Sequence, residues 1–149
     1  MKSAVTVLAL SLLLASTALA AEPKSNQQLL DEAKAAKGAM CTLSGAIVVP
    51  IAKGTGAYPT AASTVKVHYT GTLTNGRVFD SSVKRGVPAE FPLNRVIPCW
   101  TEGVQKIAVG GKAKLVCPPE TAYGKRGAPG AVPPDSLLTF EVELLSIVR

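Results

Sequence analysis

Histidine is nearly missing from this sequence: His68 is the single one among 149 residues. One imidazole and three irregularly spaced cysteines offer too few ligands, in no usual spacing, for a transition-metal centre. There is no G-x-S-x-G elbow, no phosphate-cradling loop and no dinucleotide fingerprint, which removes the hydrolase, nucleotide and nicotinamide chemistries those motifs carry. Acidic residues are few, 10 against 16 basic. Asp80 and Glu90 fall in one region, but no second carboxylate is tied to the same pocket by pattern, so glycosidase chemistry lacks support. The lysines are scattered without interleaved aromatics, which argues against nucleic acid as a partner despite a net charge of +6. Beyond residue 20 no apolar run could span a bilayer.

What is present begins with a leader. Met1-Lys2 is a positive start, Val5 to Ala15 is almost uninterruptedly apolar, and Ala18-Leu19-Ala20 is a small-x-small cleavage site. Residues 1–20 therefore read as a signal peptide cleaved after Ala20, which places the mature chain in the periplasm or outside the cell. In an oxidising compartment Cys41, Cys99 and Cys117 imply one disulfide and one free thiol. Cys99 with Cys117 is the favoured pairing, because the first opens a helix and the second ends the strand that follows it; Cys41 with Cys117 is the rival.

Residues 21–43 form a polar, alanine-rich arm. Asn26 to Lys37 reads as one helix capped by Ser25 and stopped at Gly38. Its apolar stripe is poor, so a loosely attached arm on a monomer is expected rather than a dimerisation element.

Residues 44–149 read as one domain. AIVVPIA is a strand in which Pro50 signals a bulge or an edge. TVKVHY alternates, with Val65, Val67 and Tyr69 on one side and Lys66 and His68 on the other. Asn75-Gly76 is a hairpin turn that returns Arg77 to Asp80 antiparallel to it. Ser81 to Ala89 carries the marks of a bulged loop before Glu90 to Leu93 resumes an extended path. Trp100, Val104 and Ile107 recur at the spacing of a buried helix face. Lys112 to Cys117 and Leu137 to Val148 alternate as strands, and a long Gly/Pro-rich loop, Pro118 to Asp135, lies between them. The expected class is α+β, an antiparallel sheet of five strands with one short helix on one face.

Aromatics make up only 5% of the chain, so their convergence is informative. Tyr69, Phe79, Phe91 and Phe140 fall on inward faces, join Trp100 and are faced by the loop bearing Tyr123. Core packing would explain the phenylalanines alone. Asp80 strains that reading: a carboxylate directly after an inward aromatic needs hydrogen bonds if it is buried, and Tyr69, Arg85 and Tyr123 are the available donors. An apolar hollow with a few directed polar groups is typical of small-ligand and peptide sites.

The segments VKVHYTGTLTNGRVFDSS, RGVPAEFPLNRVIPCW, EGV, GGKAKL, AYGKRG, VPP and LLTFEVELL, in this order, resemble the FKBP-type peptidyl-prolyl isomerases, and among them the bacterial Mip-like branch. The resemblance runs from about Ser44 to Val148. It implies a bent five-stranded antiparallel sheet wrapped around one short helix, an Xaa-Pro isomerase needing no cofactor or metal, and exported proline-containing chains as partners, with macrolides as possible inhibitors. A binding module or holdase chaperone is the alternative. By this resemblance Trp100 is the floor of the proline pocket and Tyr69, Phe79 and Phe140 its walls. The Ile97 N–H and Tyr123 hydroxyl bond ligand carbonyls, Asp80 bonds a polar group of the ligand while held by Arg85, and Phe91, Val96 and Val132 complete the site. Ala89, Ala128 and Ala131 stand where larger residues are common in eukaryotic members, which implies a smaller rim. Lys84, Arg85, Arg95, Lys125 and Arg126 lie on segments expected to border it.

Overall fold

The structure is a computed structural model that describes residues 23–149; the leader expected in residues 1–20 lies outside the described residues. The elements follow in the order α1 (Asn26–Ala35), β1 (Met40–Cys41), β2 (Ile47–Ala52), β3 (Thr64–Thr72), β4 (Val78–Ser81), α2 (Ser82–Arg85), β5 (Ala89–Pro92), α3 (Pro98–Gly103), β6 (Lys112–Cys117) and β7 (Leu138–Ile147). The sheet is antiparallel, in the order β1-β2-β6-β7-β3-β4, with β5 also on β3. β5 pairs with Thr64–Val67 and β4 with Thr70–Thr72, so the two are halves of one edge strand interrupted by α2. Counted that way, the five expected strands are present with a two-residue β1 added at the far edge.

Local chemistry explains most of these elements. In β3 every second residue is buried, including Val65, Val67 and Tyr69, as the alternation of a strand with one wet face requires. Gly76 adopts φ +85° in the hairpin and Arg77 N–H donates to the Asn75 side chain at 2.9 Å, the left-handed turn that Asn-Gly favours. The register of β2 against β6 shifts between Pro50 and Ala52, the irregularity a strand proline imposes. Pro98 occupies the first turn of α3, where its missing N–H is no loss. A 3₁₀ turn over Val104–Lys106 continues α3, which brings Val104 and Ile107 under the sheet with Trp100, all three buried.

The main core lies between α3 and one face of the sheet, with Leu115 and Cys117 of β6 and Leu138, Phe140, Val142 and Leu144 of β7 against the helix. A second, smaller core lies on the opposite face. There Ala33 of α1 is buried with Ile47, Val116 and Leu137, and Leu29 and Leu30 pack beside them. The expectation of a loosely attached arm is therefore corrected: α1 is docked. Its contact face is made of one alanine and two leucines, too small and too short to give a strong stripe, yet it matches Ile47 and Val116, which point away from the main core. The cap is as expected, since Ser25 accepts from Gln28 N–H and the Gln28 side chain accepts from Ser25 N–H.

Candidate functional site

Three aromatic rings meet around Trp100. Its ring lies 5.2 Å from Tyr69, 5.4 Å from Phe91 and 5.4 Å from Phe140, each nearly perpendicular to it. Edge-to-face contact is the favourable geometry for such pairs. The rings stand edge-on around Trp100 as walls, and the space they enclose stays open. The result is a hollow of about 500 Å³ lined by Tyr69, Phe79, Asp80, Phe91, Arg95, Val96, Ile97, Trp100, Tyr123 and Phe140. Trp100 is buried, and its indole N–H has no partner among the described residues.

Gly71 is a determinant that the sequence reading passed over. A Cβ there would stand 2.6 Å from the Phe79 ring and 2.8 Å from the Phe140 ring, far inside contact distance. The two rings sit 5.5 Å apart across this position, so the wall of the hollow exists only with glycine beneath it. The available signal was a glycine inside a strand pattern.

The polar end is built from β3, β4 and α2. Asp80 accepts from the Tyr69 hydroxyl at 2.6 Å and from Arg85, and Arg85 also donates to the Tyr69 hydroxyl oxygen at 3.0 Å. Burial pushes the Asp80 carboxyl up, but the Tyr69 hydroxyl and the Arg85 guanidinium outweigh it and hold the group below the usual carboxylate range. Burial, followed by the Asp80 hydrogen bond, raises the Tyr69 phenol. The Asp80 charge is thus fixed and already paired.

Arg85 reaches this position because Ser81 to Gly86 is not the plain bulged loop expected but a one-turn helix. The Ser81 hydroxyl caps it by accepting from Lys84 N–H at 3.2 Å. The fully buried Ser82 hydroxyl accepts from Tyr69 N–H at 2.8 Å, donates to Tyr69 C=O at 3.3 Å and meets His68 Nδ1 at 3.0 Å. These bonds tie α2 to the strand that carries Tyr69. A Ser-Ser pair after Asp80 was visible in the sequence, but its partner lies 13 residues away.

Two donors remain free at the hollow. Neither the Ile97 N–H nor the Tyr123 hydroxyl bonds another group within the described residues, and Tyr123 is 41% exposed. The structure thus brings together Tyr69, Phe79, Asp80, Phe91, Val96, Ile97, Trp100, Tyr123 and Phe140. Two expected residues stand elsewhere. Arg85 lies behind Asp80, outside the lining. Val132 does not line the hollow: a bridge between Ala128 and Val132 folds the loop back and buries its side chain in the main core. Arg95, expected only at the border, is part of the lining.

Beneath the floor, Cys99 and Cys117 form a disulfide with Cα atoms 5.7 Å apart, so the favoured pairing forms and Cys41 is free and exposed. The bridge joins the residue before Trp100 to the end of β6. Among the described residues no group of His, Cys, Asp and Glu could hold a metal ion, and no helix is long and apolar enough to cross a membrane.

The sequence pattern of the FKBP-type peptidyl-prolyl cis-trans isomerases matches residues 56–145, the stretch that carries this entire hollow. The chain belongs to that family. The FKBP-type isomerase FkpA of Aeromonas hydrophila is 52% identical over 128 residues, covering 86% of this chain and 47% of the relative. The FKBP-type 22 kDa isomerase of Escherichia coli K12 is 51% identical and covers 80% of this FKBP-type chain and 58% of its own length. The chain thus spans about half the length of these bacterial relatives. It also spans 98% of the isomerase Fkbp12 of Drosophila melanogaster, at 53% identity. The crystal structure of FkpA from Escherichia coli superposes with a TM-score of 0.77 at 44% identity, over 82% of this chain and 57% of that one. The open antiparallel sheet with its short helix is accordingly the FKBP fold.

Proposed function

We propose that this chain accelerates cis-trans isomerisation of Xaa-Pro bonds in exported polypeptides, with the Trp100 hollow as the proline site. The observation that carries the reading is an aromatic hollow holding two uncommitted donors, the Ile97 N–H and the Tyr123 hydroxyl, with no Ser, Thr, Cys, Lys or His in its lining. Rotation about a peptide bond faces a barrier of about 18–20 kcal/mol because it breaks amide resonance. No covalent bond is made, so a catalyst has only to bind the twisted amide better than either planar isomer. Trp100 receives the proline ring, Tyr69, Phe79 and Phe140 hold it from the sides, and the two donors grip carbonyls flanking the rotating bond. Asp80, held by Tyr69 and Arg85, is an ionised acceptor fixed at the polar end, where it takes a hydrogen bond from a polar hydrogen of the bound peptide. Each tenfold in rate requires about 1.4 kcal/mol of this differential binding.

Export rests on the leader in residues 1–20, with cleavage after Ala20, and agrees with a disulfide between Cys99 and Cys117; mass spectrometry of the exported protein reads the cleavage point. A monomer is favoured by the shortness of the arm and by the packing of α1 on its own sheet, and a sizing column tests it. Ala89, Ala128 and Ala131, all packed on the main core, leave a low rim, so macrolides bind less tightly than in members with larger residues there.

The test is the exchange rate of a short Xaa-Pro peptide measured by NMR with the native protein and its Asp80→Ala and Trp100→Ala variants. Acceleration by the native protein, with both folded variants at least tenfold lower in kcat/KM, is the expected result. Peptide binding without acceleration assigns the hollow to a binding module or holdase instead.

A further inference from the structure

The hollow contains one charge that nothing among the described residues neutralises. Of its two charged lining residues, Asp80 and Arg95, Asp80 is bonded to Tyr69 and Arg85. Arg95 makes no hydrogen bond or ion pair among the described residues, and its side chain is exposed. Glu102, the acidic residue of α3, is committed to the Ser44 hydroxyl and N–H, and Glu90 of β5 stands opposite Lys66 in the sheet register. An arginine fork in this position lacks the carboxylate it is shaped for.

Resting on the isomerase reading, we propose that Arg95 is a specificity residue that selects Xaa-Pro segments carrying Asp or Glu within two residues of the Xaa-Pro pair. Arg95 precedes the free Ile97 N–H by two positions. A peptide carbonyl held at Ile97 therefore brings its flanking side chains into the reach of the guanidinium. Lys125 and Arg126, exposed just after the lining residue Tyr123, add to the positive field and steer the same substrates. The pair forms in the ground state and in the transition state alike, so the preference belongs in KM rather than in kcat.

The experiment compares matched short peptides with Glu, Gln or Lys beside the same Xaa-Pro pair, using the native protein, Arg95→Gln and Arg95→Glu at low and high salt. Exchange rates and Kd values are read by NMR on the same samples. An exposed ion pair predicts Glu over Gln by about two- to fivefold in kcat/KM at low salt, carried by KM, with Lys below both. High salt and Arg95→Gln bring the ratio toward one, and Arg95→Glu inverts it. Equal Glu and Gln values in the native protein at low salt overturn the proposal, as does a Glu preference that survives in Arg95→Gln. A merely structural role for Arg95 would move all three peptides alike. Failure of the isomerase reading appears separately, as no acceleration of any peptide, and the Kd ratios then decide the role of Arg95 by themselves.

Discussion

One face of the sheet meets α3 and the other meets α1, and the two contacts differ in side-chain shape. Against α3 stand Tyr69, Phe91 and Phe140, rigid planes arranged edge-on around Trp100. Against α1 stand Ile47, Val116 and Leu137, closed by Ala33 with Leu29 and Leu30 at the margin. Branched aliphatics interlock to crystal-like density around a small residue. Around Trp100 the rings stand as walls instead, and the hollow they enclose stays open. The comparison shows how one sheet can carry a site on one side and a plain structural seam on the other, with hydrophobic residues on both.

The largest test of that contrast removes the bridge under the aromatic floor. Replacing both Cys99 and Cys117 by alanine opens a crosslink spanning 18 residues, and loop entropy predicts a loss of about 3 kcal/mol in urea unfolding. Because the bridge anchors the residue before Trp100, kcat/KM falls as well; an unchanged kcat/KM would mean that packing alone holds the floor. A smaller change strikes the other face. Ala33→Asp places a charge in the α1 seam and lowers stability by about 2 kcal/mol, while kcat/KM stays within twofold. A large loss of activity there would show that the two faces are coupled.

The smallest effects belong to the polar end. The Asp80 pKa is lowered on folding, so its contribution to stability is complete above its unfolded value, about 4, and is lost as pH falls through the folded value. The Tyr69 pKa is raised, so its contribution is complete below about 10 and is lost as pH rises through the folded value. Stability from this end is flat between those limits and declines at both. Arg85→Gln removes one of the groups holding Asp80 down, and an NMR titration of the Asp80 carboxyl then shows a higher pKa. An unmoved titration would mean that the Tyr69 hydroxyl sets it alone.

Much of the site was legible in the residues. The period-two alternation of β3 and β7 placed Tyr69 and Phe140 inward, and the Asn75-Gly76 turn brought Phe79 and Asp80 beside Tyr69. The separated motifs carried the family, whose pattern matches residues 56–145. Illegible were the contacts that depend on what a segment meets. The α1 stripe has meaning only against Ile47 and Val116. Ser82 is an ordinary loop serine until Tyr69 backbone groups reach its hydroxyl. Val132 and Arg95 exchange places, one into the core and one into the lining, because loop bridges and turn geometry aim them.

By itself, then, the sequence determined which residues face inward, where the hairpin turns, where α1 is capped, and which ring types could surround Trp100. These follow from local dihedral preferences and from hydrophobic periodicity, which act within a few residues. The tertiary structure alone decided that α1 docks, that Gly71 lets two phenylalanine rings close over it, and that Asp80 is neutralised by Arg85 while Arg95 stays free. Those outcomes are set by distances of a few ångströms between groups far apart in the chain, and both steric exclusion and charge pairing depend on that separation.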